Sequence, residues 1–304
     1  MSREVQDRPM VRLHTVTSTD GTSIGCHTLG KGPDVIVVGA GLRSASDYLP
    51  LATALAVRHT VHVVDRRGRG ASGPQGSEYD LGKEVDDLLA VQAATGARLA
   101  FGHSYGGLVV LETARVTPVF ERIAVYEPGV PAGPISTGWV EPYRERLAAG
   151  DAYGAFVHFL RGVDGVPAFL AKLPYWYLRA ALPIGFRGRR WERMRPLLDA
   201  NLGEHEQLAT QVGRLPEFAA VTAPVLLMCG SRTAGVGGAG PFDALRDTLP
   251  AATLETFRGL NHFGPEGKSA GVVARRTLAF FSEASTGHET GPDRAGRDHA
   301  PGHA

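Results

Sequence analysis

The sequence has little of what marks the specialised protein classes. It contains two cysteines in 304 residues, too few for a disulfide framework. Cys26 and Cys229 each sit in an apolar, strand-like setting and are expected as buried thiols. The net charge is +1 and the basic residues are scattered, which offers no footing for nucleic acid or for a polybasic membrane contact. Arg187 to Arg190, with Arg193 and Arg195, form the one basic cluster, read here as a solvated helix face. No apolar run approaches the roughly twenty residues that cross a bilayer, and residues 1–10 are too charged for a signal peptide, so a soluble cytoplasmic protein is expected.

What is present is an ordinary apolar and charged composition, at a length that fits one large α/β domain with room for an inserted subdomain. Within it, Phe101-Gly102-His103-Ser104-Tyr105-Gly106-Gly107 follows a short apolar strand and precedes an apolar helix, the pattern of a nucleophile elbow. A strand that turns sharply into a helix strains the turn residue, and the positions two away must be nearly bare of side chain. Gly102 and Gly106 meet that need. The turn lifts the Ser104 hydroxyl towards the free N–H groups of the helix, which favour an oxyanion.

The chain opens with two alternating segments, 11–18 and 22–29, around Asp20-Gly21, a hairpin signal. Short continuous apolar runs at 35–38, 60–64, 98–101, 122–126 and 224–230, with a further strand at 253–257, alternate with helical segments at 48–57, 80–96, 108–114, 242–249 and 271–281. That alternation means parallel βαβ units with right-handed crossovers. Asp80 is an N-cap and Gly96 a helix stop. In the last helix Val272, Val273, Leu278 and Phe281 are expected to face inward. From 129 to 220 there is no strand signal but many aromatics, read as a helical cap over the site. Residues 1–10 are expected as a flexible N-terminus and 285–304 as a disordered tail, whose His288, His299 and His303 could hold a metal only weakly. The core is then 11–128 with 221–284.

With these residues in view the chain resembles the α/β-hydrolase-fold proteins from about residue 11 to residue 281. Four motifs in order carry the likeness: the loop Gly39-Ala40-Gly41-Leu42-Arg43-Ser44 after the first parallel strand, Asp65-x-Arg67-Gly68-x-Gly70-x-Ser72, the Ser104 elbow, and a late glycine-x-x-histidine ending at His262. The resemblance implies an α/β fold with an eight-stranded, mostly parallel sheet, helices on both faces, an inserted helical cap, and serine-dependent ester, lactone, thioester or amide chemistry without a cofactor.

Acyl transfer needs a nucleophile and a base of near-neutral pKa. Ser104 is the expected nucleophile. His262 is the expected base, because it lies in a loop after the last strand, whereas His62 lies inside a strand and His103 inside the elbow. The resemblance implies an oxyanion hole from the backbone N–H of Tyr105 and one from Gly41-Leu42. Trp139, Tyr143, Tyr175, Trp176 and Phe263 are expected to line an apolar substrate pocket. The family's acid follows strand seven as Gly-x-x-Asp, but here Gly230-Ser231-Arg232-Thr233 brings none before Asp243. In the family's strand order Glu127 ends the strand beside the elbow strand, about 4.8 Å away, and some members place their acid there. Glu127 is the expected acid, with Asp243 the alternative. The resulting reading is a serine hydrolase of a small, fairly hydrophobic ester or lactone, with no metal and a small-molecule partner. An acyl-transfer or cyclising enzyme of the same fold, or a ligand-binding protein with little turnover, are its alternatives.

Overall fold

The computed structural model describes residues 10–163, 172–233 and 240–283. The N-terminal segment, much of the loop after residue 233 and the histidine-bearing tail expected above lie wholly or largely outside these residues.

Eight strands form one sheet in the order β1-β2-β4-β3-β5-β6-β7-β8. β1 (Arg12–Thr17) and β2 (Ser23–Gly30) make the hairpin, antiparallel, with Arg12 opposite Thr28, and β2 pairs antiparallel with β4 (Thr60–Asp65). From there β3 (Asp34–Val38), β5 (Leu99–His103), β6 (Arg122–Tyr126), β7 (Val225–Gly230) and β8 (Ala252–Phe257) all run parallel. The continuous apolar runs are explained by the layers. Val35 and Val37 pack in one buried cluster while Ile36 and Val38 pack in the other, and Phe101 against Ala100, and Leu226 against Leu227, divide in the same way. A period of two with both faces apolar is what a parallel strand covered by helices on both sides requires.

One face is covered by α1 (Leu49–Leu55) and the terminal α-helix Ala270–Phe281; the other by α2 (Leu81–Thr95), α3 (Tyr105–Val116) and the helix Pro241–Thr248. Asp80 caps α2 by accepting from the Lys83 N–H at 2.9 Å, and Gly96 ends it with φ of +70°. Between β6 and β7 the chain inserts α4 (Val140–Ala148), α5 (Ala152–Gly162), α6 (Tyr175–Gly185), α7 (Arg189–Met194) and α8 (Leu198–Thr210), which share their own apolar cluster. The helices Pro241–Thr248 and Ala270–Phe281 are numbered α9 and α10.

The terminal helix corrects one expectation. Val273, Ala274, Thr277, Phe280 and Phe281 are buried, but Val272 is exposed. At about 100° per residue the five buried positions fall within one arc of about 120°, and Val272, a further step back from Val273, falls outside it.

The chain leaves β3 towards β4 and later crosses back to β5 on the other side. Loops leaving β3 and β5 therefore diverge, and a crevice opens at their C-terminal ends, where open α/β sheets take ligands.

Candidate active site

Ser104 directly follows β5 with φ of +52° and ψ of −123°, and serves as the N-cap of α3. A Cβ at Gly102 would stand 2.6 Å from the Gly107 Cα, and one at Gly106 would stand 2.5 Å from the carbonyl oxygens of Val38 and Gly39. A side chain at Gly102 would push α3 off β5 and one at Gly106 would push it off the end of β3, which gives the G-x-S-x-G spacing its steric cause. Among the described residues the non-glycine positions with positive φ are Leu42 at +54°, Ser104 at +52° and Glu127 at +42°. Each costs about 1–3 kcal/mol and concentrates where geometry is imposed for function. All three lie at the C-terminal ends of neighbouring parallel strands: β3, β5 and β6.

Glu127 follows β6, which pairs with β5 on one side and β7 on the other. Its carboxylate is almost fully buried; Oε2 accepts from His262 Nδ1 at 2.7 Å, and Oε1 accepts from the Gly230 N–H at 2.8 Å and from the Thr233 hydroxyl. Three donors satisfy this buried carboxylate, as its position demands. Thr233 occupies the place where the Gly-x-x-Asp pattern would set an acid, and it spends its hydroxyl on Glu127 instead. Asp243 is used elsewhere: one oxygen accepts from the Gly240 N–H at 2.9 Å and the other pairs with Arg246 at 2.8 Å, at the start of α9.

His262 lies in the loop after β8, a third of its side chain exposed. The loop is held from below. Tyr126 donates its hydroxyl to the Asn261 carbonyl at 2.8 Å, and His103 Nε2 lies 2.8 Å from the His262 carbonyl oxygen. From the side, Arg43 pairs with Glu266 at 2.9 Å and covers the Phe263 ring at 5.1 Å, joining the loop after β3 to the loop after β8. Burial lifts the Glu266 carboxyl above its ordinary range, against the pull of Arg43.

The Gly39–Arg43 loop is anchored through its carbonyls. Arg66 Nε donates to Gly39 O at 3.0 Å, Arg66 Nη2 and Arg69 Nη1 each donate to Ala40 O at 3.2 Å, and Arg69 Nη1 also reaches Arg43 O at 3.2 Å. Both guanidiniums are buried and are neutralised by Glu204 of α8, with Glu84 of α2 a second partner for Arg66 at 2.8 Å. Burial alone would raise the Glu204 carboxyl, but Arg66 and Arg69 hold it below its ordinary range. The insertion is thus bound to the Asp65–Ser72 motif by buried charge. In that motif Asp65 accepts from the Ala45 and Ala71 N–H groups, at 2.8 and 3.0 Å, and Arg67 grips Asp87 with two bonds of 2.7 Å.

The structure brings Ser104, Glu127, His262, Tyr105, Gly41 and Leu42 to one end of the sheet. The aromatics expected to line a pocket are spread more widely. Leu42 packs in the apolar cluster of the insertion with Trp139 and Tyr143; Tyr143 is fully buried and donates to Leu198 O at 2.8 Å. Tyr175 packs against His158 in a tilted arrangement with ring centroids 4.8 Å apart, Trp176 is 71% exposed on α6, and Phe263 is 47% exposed beside His262. A surface groove of about 550 Å³ runs between Gln75, Tyr79 and α8, but Ser104 and His262 are not among its lining residues. Tyr48, Tyr126, Thr233 and the Arg66–Arg69–Glu204 group were not singled out by the sequence. The signal for Tyr126 and Thr233 was positional: one precedes Glu127, the other fills the vacated acid position. Glu204 lies 135 residues from Arg69 in the chain and carries no local signal.

The chain is similar to several known proteins. A pimeloyl-[acyl-carrier protein] methyl ester esterase of Stenotrophomonas maltophilia (strain R551-3) is 28% identical over 252 residues, which span 76% of this chain and 95% of that protein. An alpha/beta hydrolase from Sphaerobacter thermophilus DSM 20745 superposes with a TM-score of 0.72 at 29% identity, over 88% of this chain and all of that one. The enol-lactonase of Burkholderia xenovorans LB400 shares the fold, with a TM-score of 0.67 at 16% identity, over 89% of this chain and all of that one. The alpha/beta hydrolase family matches residues 35–276. A match that starts in β3 and ends inside α10 takes in every parallel strand after β3 and the whole insertion between β6 and β7, and on it the chain belongs to the alpha/beta hydrolase family.

Proposed function

We propose that the protein is a cytoplasmic serine esterase acting on a small, fairly hydrophobic ester or lactone through an acyl-enzyme. The observation that carries this is the pairing of a strained Ser104 at the head of α3 with a His262–Glu127 hydrogen bond of 2.7 Å at the same sheet edge. A carboxylate can only accept, so the His262 proton sits on Nδ1 and Nε2 presents its lone pair. Nε2 takes the Ser104 proton as Oγ attacks the substrate carbonyl, and the buried Glu127 carboxylate stabilises the imidazolium that results. The negative charge that develops on the carbonyl oxygen is met by the Tyr105 N–H, which has no intrahelical acceptor at the first turn of α3, and by an N–H of the Gly41-Leu42 turn. His262 then returns the proton to the departing alkoxide. Water, deprotonated by the same imidazole, releases the acid and regenerates Ser104. Ester cleavage is also the chemistry in the name of the Stenotrophomonas relative.

The test is labelling with a fluorophosphonate together with hydrolysis of short-chain p-nitrophenyl esters. Labelling that is lost in Ser104→Ala, with kcat lower by about four to six orders of magnitude, is expected. Absence of labelling, with Ser104→Ala as active as the parent, would overturn the reading.

A further inference from the structure

Two buried polar side chains at this sheet edge take no part in the chemistry above: His103 and Tyr126, the residues immediately before Ser104 and Glu127. Their hydrogen bonds have only one possible direction each. A carbonyl oxygen cannot donate, so His103 bears its proton on Nε2, where it meets the His262 carbonyl at 2.8 Å. Complete burial holds the His103 imidazole neutral, well below the usual histidine range. Nδ1 is then a lone pair, and the Tyr48 hydroxyl, 2.7 Å away, donates to it. The Tyr48 oxygen in turn accepts the Ala40 N–H at 2.8 Å. A single directed chain therefore runs from the turn that carries Gly41 and Leu42, through Tyr48 and His103, to the backbone of His262. Tyr126 makes the companion contact, donating to the Asn261 carbonyl at 2.8 Å. The rings are packed as well, His103 lying 5.8 Å from Tyr48, 5.8 Å from Tyr126 and 4.9 Å from His262. A Cβ at Gly264 would collide with the Tyr126 hydroxyl, so the loop beyond His262 is shaped to sit against that group.

We propose that His103 and Tyr126 are positioning residues that grip two successive carbonyls of the His262 loop, and that Tyr48, through His103, locks the oxyanion-side turn to the same register. The proposal rests on the serine-esterase reading. A histidine on a loop, tethered only by its bond to Glu127, can shift while keeping that bond, and misplacement of about 1 Å can cost about a hundredfold in rate. Two donors rooted in β5 and β6 remove that freedom, because these strands also carry Ser104 and Glu127. Nucleophile, acid and base are thus registered against one another by the residue that precedes each of the first two.

Tyr126→Phe and Tyr48→Phe each delete one oxygen and keep the ring. For both we expect kcat on p-nitrophenyl esters to fall about 10- to 100-fold with KM within about threefold. The low-field proton resonance of the His262–Glu127 bond, identified by its loss in Glu127→Gln, should broaden or shift. His103→Gln, whose amide nitrogen can replace Nε2 as donor to the His262 carbonyl, should retain more activity than His103→Phe. Should the His103 variants fail to fold, the two tyrosine variants decide. Ser104→Ala in the same assay separates the two levels: full activity there overturns the esterase reading itself. An inactive Ser104→Ala alongside Tyr126→Phe and Tyr48→Phe with parental kcat and an unmoved resonance, whatever their melting temperatures, overturns the positioning proposal alone.

Discussion

Replacing Glu127 by glutamine changes one oxygen to an NH2 group in a site where every partner has a fixed direction. Oε1 accepts from the Gly230 backbone N–H at 2.8 Å and from the Thr233 hydroxyl, while Oε2 accepts from His262 Nδ1 at 2.7 Å. An amide has one acceptor atom to serve both sides. If it turns its oxygen to His262, the NH2 confronts the Gly230 N–H, a buried donor that cannot reverse, and an unmade buried bond costs about 1–3 kcal/mol. If it turns its oxygen to Gly230, the NH2 donates to His262 Nδ1, and the imidazole proton moves to Nε2, the atom that must accept from Ser104. The backbone constraint favours the second arrangement, so the side chain keeps its shape and His262 adopts the wrong tautomer. The expected loss in kcat is about a hundredfold to ten-thousandfold, or about 2.7–5.4 kcal/mol of barrier. KM should change little. Steady-state hydrolysis of p-nitrophenyl esters measures this, with Asp243→Asn as the control, since Asp243 serves Gly240 and Arg246 and should be nearly silent in kcat. Parental turnover in Glu127→Gln, or a collapse in Asp243→Asn with Glu127→Gln unaffected, would refute the reasoning.

Moving the acid back should work in part: Glu127→Ala should be nearly inactive and Glu127→Ala/Thr233→Asp should recover at least tenfold in kcat/KM, because the Thr233 hydroxyl already touches the Glu127 carboxylate; no recovery would argue that position 233 cannot reach His262. Glu204→Gln leaves Arg66 and Arg69 buried with one carboxylate fewer and should cost about 3–5 kcal/mol in urea unfolding, a loss that a flat midpoint would contradict. Burial pushes the Cys26 thiol up to about 12 and raises Cys229 as well, so the native protein at pH 8 should show almost no thiol reactive to a disulfide reagent and both only after unfolding. Buried His103 is depressed when folded and ordinary, near 6.5, when unfolded, so below pH 6.5 the unfolded chain binds the extra proton. Its contribution is complete above that pH and is lost as pH falls, at up to about 1.4 kcal/mol per unit, with His59 and His205 depressed in the same sense; unfolding free energies that stay level from pH 7 to pH 5 would contradict it.

The fold was legible because its signals are local. Asp20-Gly21 between alternating runs yields the β1–β2 hairpin, and the uninterrupted apolar runs yield strands covered on both faces. The elbow was legible for the same reason: Gly102 and Gly106 answer collisions generated within a few residues of Ser104, and with Val38 and Gly39. What could not be read was set by contacts across the chain. Tyr48 reaches His103 over 55 positions, and Arg66 reaches Glu204 over 138. Neither end of such a pair has a sequence pattern of its own. The aromatic insertion shows the same limit, since a run of aromatic residues cannot state which rings seal a core, as Tyr143 does, and which meet solvent, as Trp176 does.

Glu127 stands between these cases, and the geometry shows how the end of β6 can hold the proposed acid. β6 lies between β5 and β7, so a side chain at its C-terminal end is flanked by the elbow on one side and by Gly230 on the other. An acid after β7 would start one strand further from the elbow. Ending β6 with one requires only the positive φ that Glu127 adopts, +42°, and donors to replace the lost hydration of a buried carboxylate. The β7 end supplies them, through the Gly230 N–H and the Thr233 hydroxyl. Thr233, at the position where the Gly-x-x-Asp pattern would set an acid, thus supports the proposed acid at 127, and the two positions should be tested together.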